Sequence, residues 1–187
     1  AVNYSNGTKS YYLTTNAPFS QDIITSGAQV TVDGTQKRIN QASFDVTFNR
    51  PQNLKGTAYL NISIGGISIS TPTGNKVWVS GALLQLSGAT AVTDITASVS
   101  GAIVPIATTT SSQTQLIPLP ITGTQHFKSG ETLRLYLDIW GYNGAGDLSH
   151  GGFGTDPADR NDPDAKTIED ADTTKLELYV PFLLNTT

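Results

Sequence analysis

Apolar and polar residues alternate along most of this chain with a period of two, the pattern a half-buried β-strand imposes because successive side chains point to opposite faces. Phe44, Val46 and Phe48 form one face of a segment whose other face is Asp45, Thr47 and Asn49. Ala58, Leu60, Ile62 and Ile64 share a face in the next segment, which runs through Gly65 and Gly66 to Ile67 and Ile69. The change of parity at that glycine pair predicts a bend or bulge there. Shorter runs follow at 77–86, 91–106 and 116–121. The last holds Pro118 and Pro120, which cannot donate to a ladder, so it is assigned to a sheet edge or a connection.

The clearest alternation is late. Leu133, Leu135, Leu137 and Ile139 interleave with Arg134, Tyr136, Asp138 and Trp140, and Leu176, Leu178, Val180 and Phe182 interleave with Glu177, Tyr179 and Pro181. No window carries the helical period for more than a turn or two. About eight to ten strands at this spacing predict an all-β fold, a two-sheet antiparallel β-sandwich of immunoglobulin-like or jelly-roll type.

Two segments break the pattern. Residues 141–173, between the two late strands, begin with a glycine-rich stretch and continue with an acidic one; they are read as one long solvated loop inserted in the sandwich. Residues 1–15 hold Tyr4, Tyr11 and Tyr12 and a single charge, Lys9, with too few apolar residues to fold alone. The chain thus divides into an extended N-terminal tail, 1–15, and a head domain, 16–187.

Composition narrows the chemistry. At 187 residues the chain is long enough for one well-buried core. Charged residues are 14% of it, against about 25% in ordinary soluble domains, and Ser and Thr have taken their place. A net charge of -4 gives no electrostatic footprint for nucleic acid or an anionic membrane. The absence of Cys excludes thiol catalysis, thiolate metal sites and disulfides. No apolar run approaches the roughly 20 residues of a membrane-spanning helix. The chain begins at Ala1 and holds no Met, the end expected after removal of a leader or of an initiator residue.

The motif that recurs is the N-glycosylation acceptor, at Asn3, Asn6, Asn61 and Asn185, each followed two residues later by Ser or Thr. Asn61 stands on the face opposite Leu60 and Ile62, where a bulky glycan must point. Covalent N-glycans are therefore expected. In the acidic stretch Asp156, Asp159, Asn161, Asp162 and Asp164 are oxygen ligands spaced closely enough for calcium, although the glycine and glutamate of an EF-hand loop are missing; the other reading is a solvated loop. His150 lies among glycines that would let a ligand approach, with no serine nucleophile motif or phosphate loop to go with it. No catalytic residue is assigned and the chain is not read as an enzyme. Leu119 to Gly123 spell a sortase LPxTG signal, but strong strands follow where an apolar span and basic tail would be needed. Trp78 and Trp140 are the candidates for a sugar-stacking platform.

A cysteine-free, Ser/Thr-rich β-sandwich with a Tyr-bearing extended N-terminus and several glycan acceptors resembles the surface-filament subunits of thermophilic archaea. The archaeal thread pilin is the nearer likeness; the archaeal bundling pilin, related to bacterial biofilm matrix fibre proteins, is the second. The resemblance is one of architecture and composition over the whole chain. It implies an extracellular cell-surface filament built by donor-strand complementation, in which each copy lends its N-terminal strand to the next and which serves adhesion or biofilm formation. The partner would then be a further copy of the chain, with surface glycans or other cells as adhesion targets. Val2 and Tyr4 would point into the acceptor, and Tyr11 and Leu13 would share a face after a parity shift at Asn6 and Gly7. The other readings are a carbohydrate-binding β-sandwich module and a jelly-roll virion coat protein.

Overall fold

A computed structural model of the chain describes residues 2–5, 8–11, 23–25, 34–68, 74–88, 91–105, 110–142, 144, 148–154 and 175–183. They hold thirteen strands: β1 (Val2–Ser5), β2 (Thr8–Tyr11), β3 (Ile23–Thr25), β4 (Gln36–Thr47), β5 (Gln52–Ser68), β6 (Lys76–Ser87), β7 (Ala91–Asp94), β8 (Val99–Ser100), β9 (Val104–Pro105), β10 (Thr110–Phe127), β11 (Thr132–Tyr142), β12 (Leu148–Gly154) and β13 (Leu176–Tyr179). No helix occurs among the described residues.

The pairing is nested. β4 pairs β11, β5 pairs β10, and β6 pairs β7, β8 and β9, all antiparallel. The middle of the chain is therefore one long hairpin, with arms β4-β5-β6 and β9-β10-β11, rolled so that successive pairs fall in alternate sheets. That is a jelly-roll winding, one of the two sandwich types the sequence predicts. One sheet runs β4-β11-β6-β7, and the other runs β10-β5-β12-β3 with β13 also on β5. β12 and β13 lie end to end on the side of β5 away from β10.

The core forms where the two inner faces meet. β11 alternates buried and half-buried positions along its whole length, with Leu133, Leu135, Leu137 and Ile139 inward. Opposite them stand Leu60, Ile62 and Ile64 of β5 and Ile117 and Leu119 of β10, all essentially without solvent contact. Gly81 of β6 leaves room between the layers: a Cβ there would lie 3.3 Å from both Leu137 and Leu60. The prolines of β10 stand in the marginal strand of their sheet, as their missing N–H groups require.

Two expectations change. Gly65 and Gly66 make no bulge, since the register of β5 against β10 is unbroken there. They pair instead with Gly152 and Gly151 of β12, and a Cβ at Gly151 would meet Ile39 at 2.7 Å and Val77 at 2.8 Å. Gly151 thus serves close approach of the layers. The stretch 141–173, read as one loop, contains β12, whose Phe153 is fully buried and 6.3 Å from the Phe44 ring. A strand with glycine at three of its seven positions has no apolar alternation to betray it.

The N-terminal tail also differs in arrangement. β1 and β2 form a two-stranded sheet of their own, with Val2 opposite Tyr11 and Ser5 opposite Thr8. The register leaves Asn6 and Gly7 as a two-residue connection, and Asn-Gly is the strongest short-range hairpin signal. The side chains of Val2, Tyr4 and Tyr11, and all of Leu13, lie outside the described residues.

At one end of the sandwich the turn between β10 and β11 is held by Glu131, which is 8% exposed. Its carboxylate accepts from the Lys128 backbone N–H at 2.8 Å, Ser87 Oγ at 2.8 Å and Gln85 Nε2 at 2.7 Å. Those donors, the Lys128 N–H foremost, hold the carboxyl below the usual glutamate range.

Candidate functional site

The outer face of the β5 sheet gathers residues that the chain alternation sends away from the core. Asn61 stands in its centre, level with Leu116 on β10 and Glu177 on β13. Leu60 and Ile62, its neighbours in sequence, are fully buried, so the face expected for the acceptor is the one observed. One step along β5, Pro118, Tyr59 and Tyr179 form a row across three strands. One step the other way, Ser63 lies opposite Thr114 and their hydroxyls are hydrogen bonded at 2.7 Å.

The Glu177 carboxylate organises this face. Its Oε2 accepts from Asn61 Nδ2 at 3.4 Å and from the Tyr179 hydroxyl at 2.7 Å, and Lys175 Nζ lies 4.0 Å away. The bond to Glu177 raises the pKa of the Tyr179 phenol above its usual value. The rings and aliphatic groups stay uncovered: Tyr59 is 42% exposed, Tyr179 55% and Leu116 61%.

The margin of the same sheet has a definite polarity. Ser63 donates its backbone N–H to the Lys175 carbonyl at 2.8 Å, on the side away from β10. Ser63 and Thr114 are therefore a pair without mutual backbone bonds, and by alternation Thr114, Leu116 and Pro118 turn their backbone groups outward from β10. Toward the other end of β10, Thr122 donates to the Ile95 carbonyl at 2.9 Å and Thr96 bridges Ile121, so the segment around 95–96 covers that part of the margin. Beside 113–118 the segment Ser100–Ala102 leaves a shallow groove of about 350 Å³ with no charged residue in its walls. Gln115 donates across it to the Ala102 carbonyl at 2.8 Å.

The outer face of the β4 sheet is built differently. Arg134 makes a two-pronged ion pair with Asp45, both contacts 2.7 Å. Arg38 lies 3.4 Å from both Asp138 and the Tyr136 hydroxyl, and that hydroxyl donates to Gln41 at 3.0 Å. Trp140 and Trp78 are brought together at 6.3 Å with nearly parallel rings, and Trp140 donates to Ser80 at 3.1 Å. Trp78 keeps only 9% of its surface exposed, so the pair does not present two open rings.

Of the other candidates, Asn3 lies in β1 with its side chain undescribed, and His150 lies in β12 opposite Ile67, likewise without its side chain. Asn6, Asn185, Asp156, Asp159, Asn161, Asp162 and Asp164 lie outside the described residues. The aromatic row beside Asn61 was the feature sequence reading passed over. Its signal was there, because Tyr59 precedes Asn61 by two residues and so shares its face, but the Tyr179 and Pro118 contributions depend on strand order.

No protein-family model matches the chain, and no curated protein matches it. Among solved structures, one of a CocE/NonD family hydrolase from Staphylococcus aureus is similar over 84% of this chain and 34% of that one, with 11% identity and a TM-score of 0.47. A second structure of a CocE/NonD family hydrolase from the same organism is similar over 93% and 36%, with 13% identity and a TM-score of 0.44. The chain thus spans about a third of the hydrolase's length.

Proposed function

We propose that the chain is a structural subunit of an extracellular, N-glycosylated, pilus-like filament that grows head to tail by donor-strand complementation. The observation that carries the reading is the pairing of the N-terminal strands: among the described residues β1 and β2 form a two-stranded sheet separate from both sheets of the head, with β2 touching β4. An isolated two-stranded hairpin is marginal in water. Opening it breaks only a short two-stranded ladder and its contact with β4, and the released residues can add to a neighbour's sheet.

The β10 margin suits such a strand. Thr114 and Leu116 offer outward backbone groups, while Pro118 and Pro120 stop a ladder from extending past them. The groove beside that margin and residues 1–15 are both nearly uncharged, so docking buries no unpaired ion. A contact between tail and head does not close on itself and propagates as a fibre. Adhesion to surface glycans or to other cells is the role proposed for that fibre.

Deleting residues 1–14 tests this reading. The shortened head should stay monomeric where the full chain forms fibres; fibres from the shortened head would refute the donor assignment. The nested strand winding also suits a virion coat protein, which would assemble closed shells under the same conditions.

A further inference from the structure

We infer that the aromatic row Pro118, Tyr59 and Tyr179 is the resting surface of a glycan carried by Asn61 of the same chain. The inference rests on the glycosylation reading above and adds where the sugar lies and what it covers.

The two sides of Asn61 are unlike. Toward Ser63 the surface is closed, since Ser63 is 6% exposed and its hydroxyl is already bonded to Thr114. Toward Tyr59 it is open and apolar, with two phenol rings and a proline side by side across three strands. Neighbours two positions apart on one face lie roughly 7 Å from each other, within reach of the first sugar on the asparagine nitrogen. Aromatic faces carry partial negative charge and sugar C–H groups partial positive charge, so a pyranose lies flat on such rings.

The linkage chemistry also fits. Attachment from a glycosyl phosphate-type donor replaces one of the two Asn61 Nδ2 hydrogens with a bond to the anomeric carbon. The donor's C1–O bond breaks, its phosphate leaving group balances the lost proton, and the remaining N–H is free to serve Glu177. Glu177 then fixes both the glycosylated amide and the Tyr179 hydroxyl. On a chain with so few charges, an uncovered row of this kind is a liability for non-specific association; a glycan over it removes that liability.

The test uses full-length protein secreted from a host that attaches N-glycans. Peptide mass spectrometry first reads occupancy at Asn61. Melting temperatures are then compared for wild type and Asn61→Gln, and for the same pair carrying Tyr59→Ser and Tyr179→Ser. The glycan should raise the midpoint by about 2–4 °C with the tyrosines present and by less than about 1 °C without them. Magnetisation transfer between sugar and tyrosine ring protons in the wild type gives a readout that needs no variant.

An unoccupied Asn61 would overturn the glycosylation reading at that acceptor and this inference together. An occupied Asn61 with equal increments in both backgrounds, or with no ring-to-sugar transfer, would overturn the inference alone. So would a dimer of the glycosylated protein that Tyr179→Ser dissolves, because a second copy would then cover the row.

Discussion

The two outer faces of the sandwich share one winding and one core, yet they solve exposure in opposite ways. On the β4 sheet, Arg134, Asp45, Arg38 and Asp138 cross-link neighbouring strands through charge and hydrogen bonds. On the β5 sheet, Tyr59, Leu116 and Tyr179 lie open around a single amide and a single carboxylate. The first face pairs its charges across strands; the second leaves rings and an aliphatic side chain uncovered. Fold alone therefore says little about what each face does, and the difference lies in outward positions that leave the core untouched.

The comparison assumes that parity separates core from face, and the largest expected effect tests that assumption. Ile62→Ala should cost about 2–5 kcal/mol in chemical denaturation, whereas Asn61→Ala, measured without glycan, should stay within about 0.5 kcal/mol. Equal costs would mean that the two residues do not point to opposite sides. Next comes the close approach of the layers at β12. Gly151→Ala should destabilise by about 1–3 kcal/mol, because Ile39 and Val77 must move aside.

Smaller effects distinguish the faces by their response to salt. A double-mutant cycle on Arg134 and Asp45 should give about 0.2–1 kcal/mol at low ionic strength and less at 1 M salt. The stability change caused by Tyr59→Ser should not depend on salt in that way. The last effect belongs to the end where the sheets meet. Because Glu131 titrates below its ordinary range when folded, its contribution is fully present above the unfolded value and is lost as pH falls through the folded one. Glu131→Gln should flatten the acid limb of the stability curve, which unfolding at a series of pH values between neutral and strongly acidic would read.

Much of this was legible in the chain. The inward set of β11, the outward placement of Asn61 and the marginal position of the proline strand all follow from period-two alternation and from the missing proline N–H. What escaped was written in glycine. Gly65, Gly66, Gly151 and Gly152 have no side chains to alternate, so the pattern makes β12 look like loop and puts a change of parity at Gly65 and Gly66 where the register against β10 is unbroken. At the N-terminus, Asn6 and Gly7 read as an interruption of one strand, although the same dipeptide favours the turn of a hairpin. The aromatic row needed the order of β10, β5 and β13, which pattern within single segments does not supply.

The filament reading turns on where residues 2–11 go when copies meet. Electron cryo-microscopy of the full-length chain under assembling conditions addresses this directly. The account predicts fibres in which the hairpin has opened and one subunit's N-terminal strand lies along β10 of the next, ending before Pro118. Closed shells, dispersed monomers, or fibres whose subunits each keep β1 paired with their own β2 would contradict it.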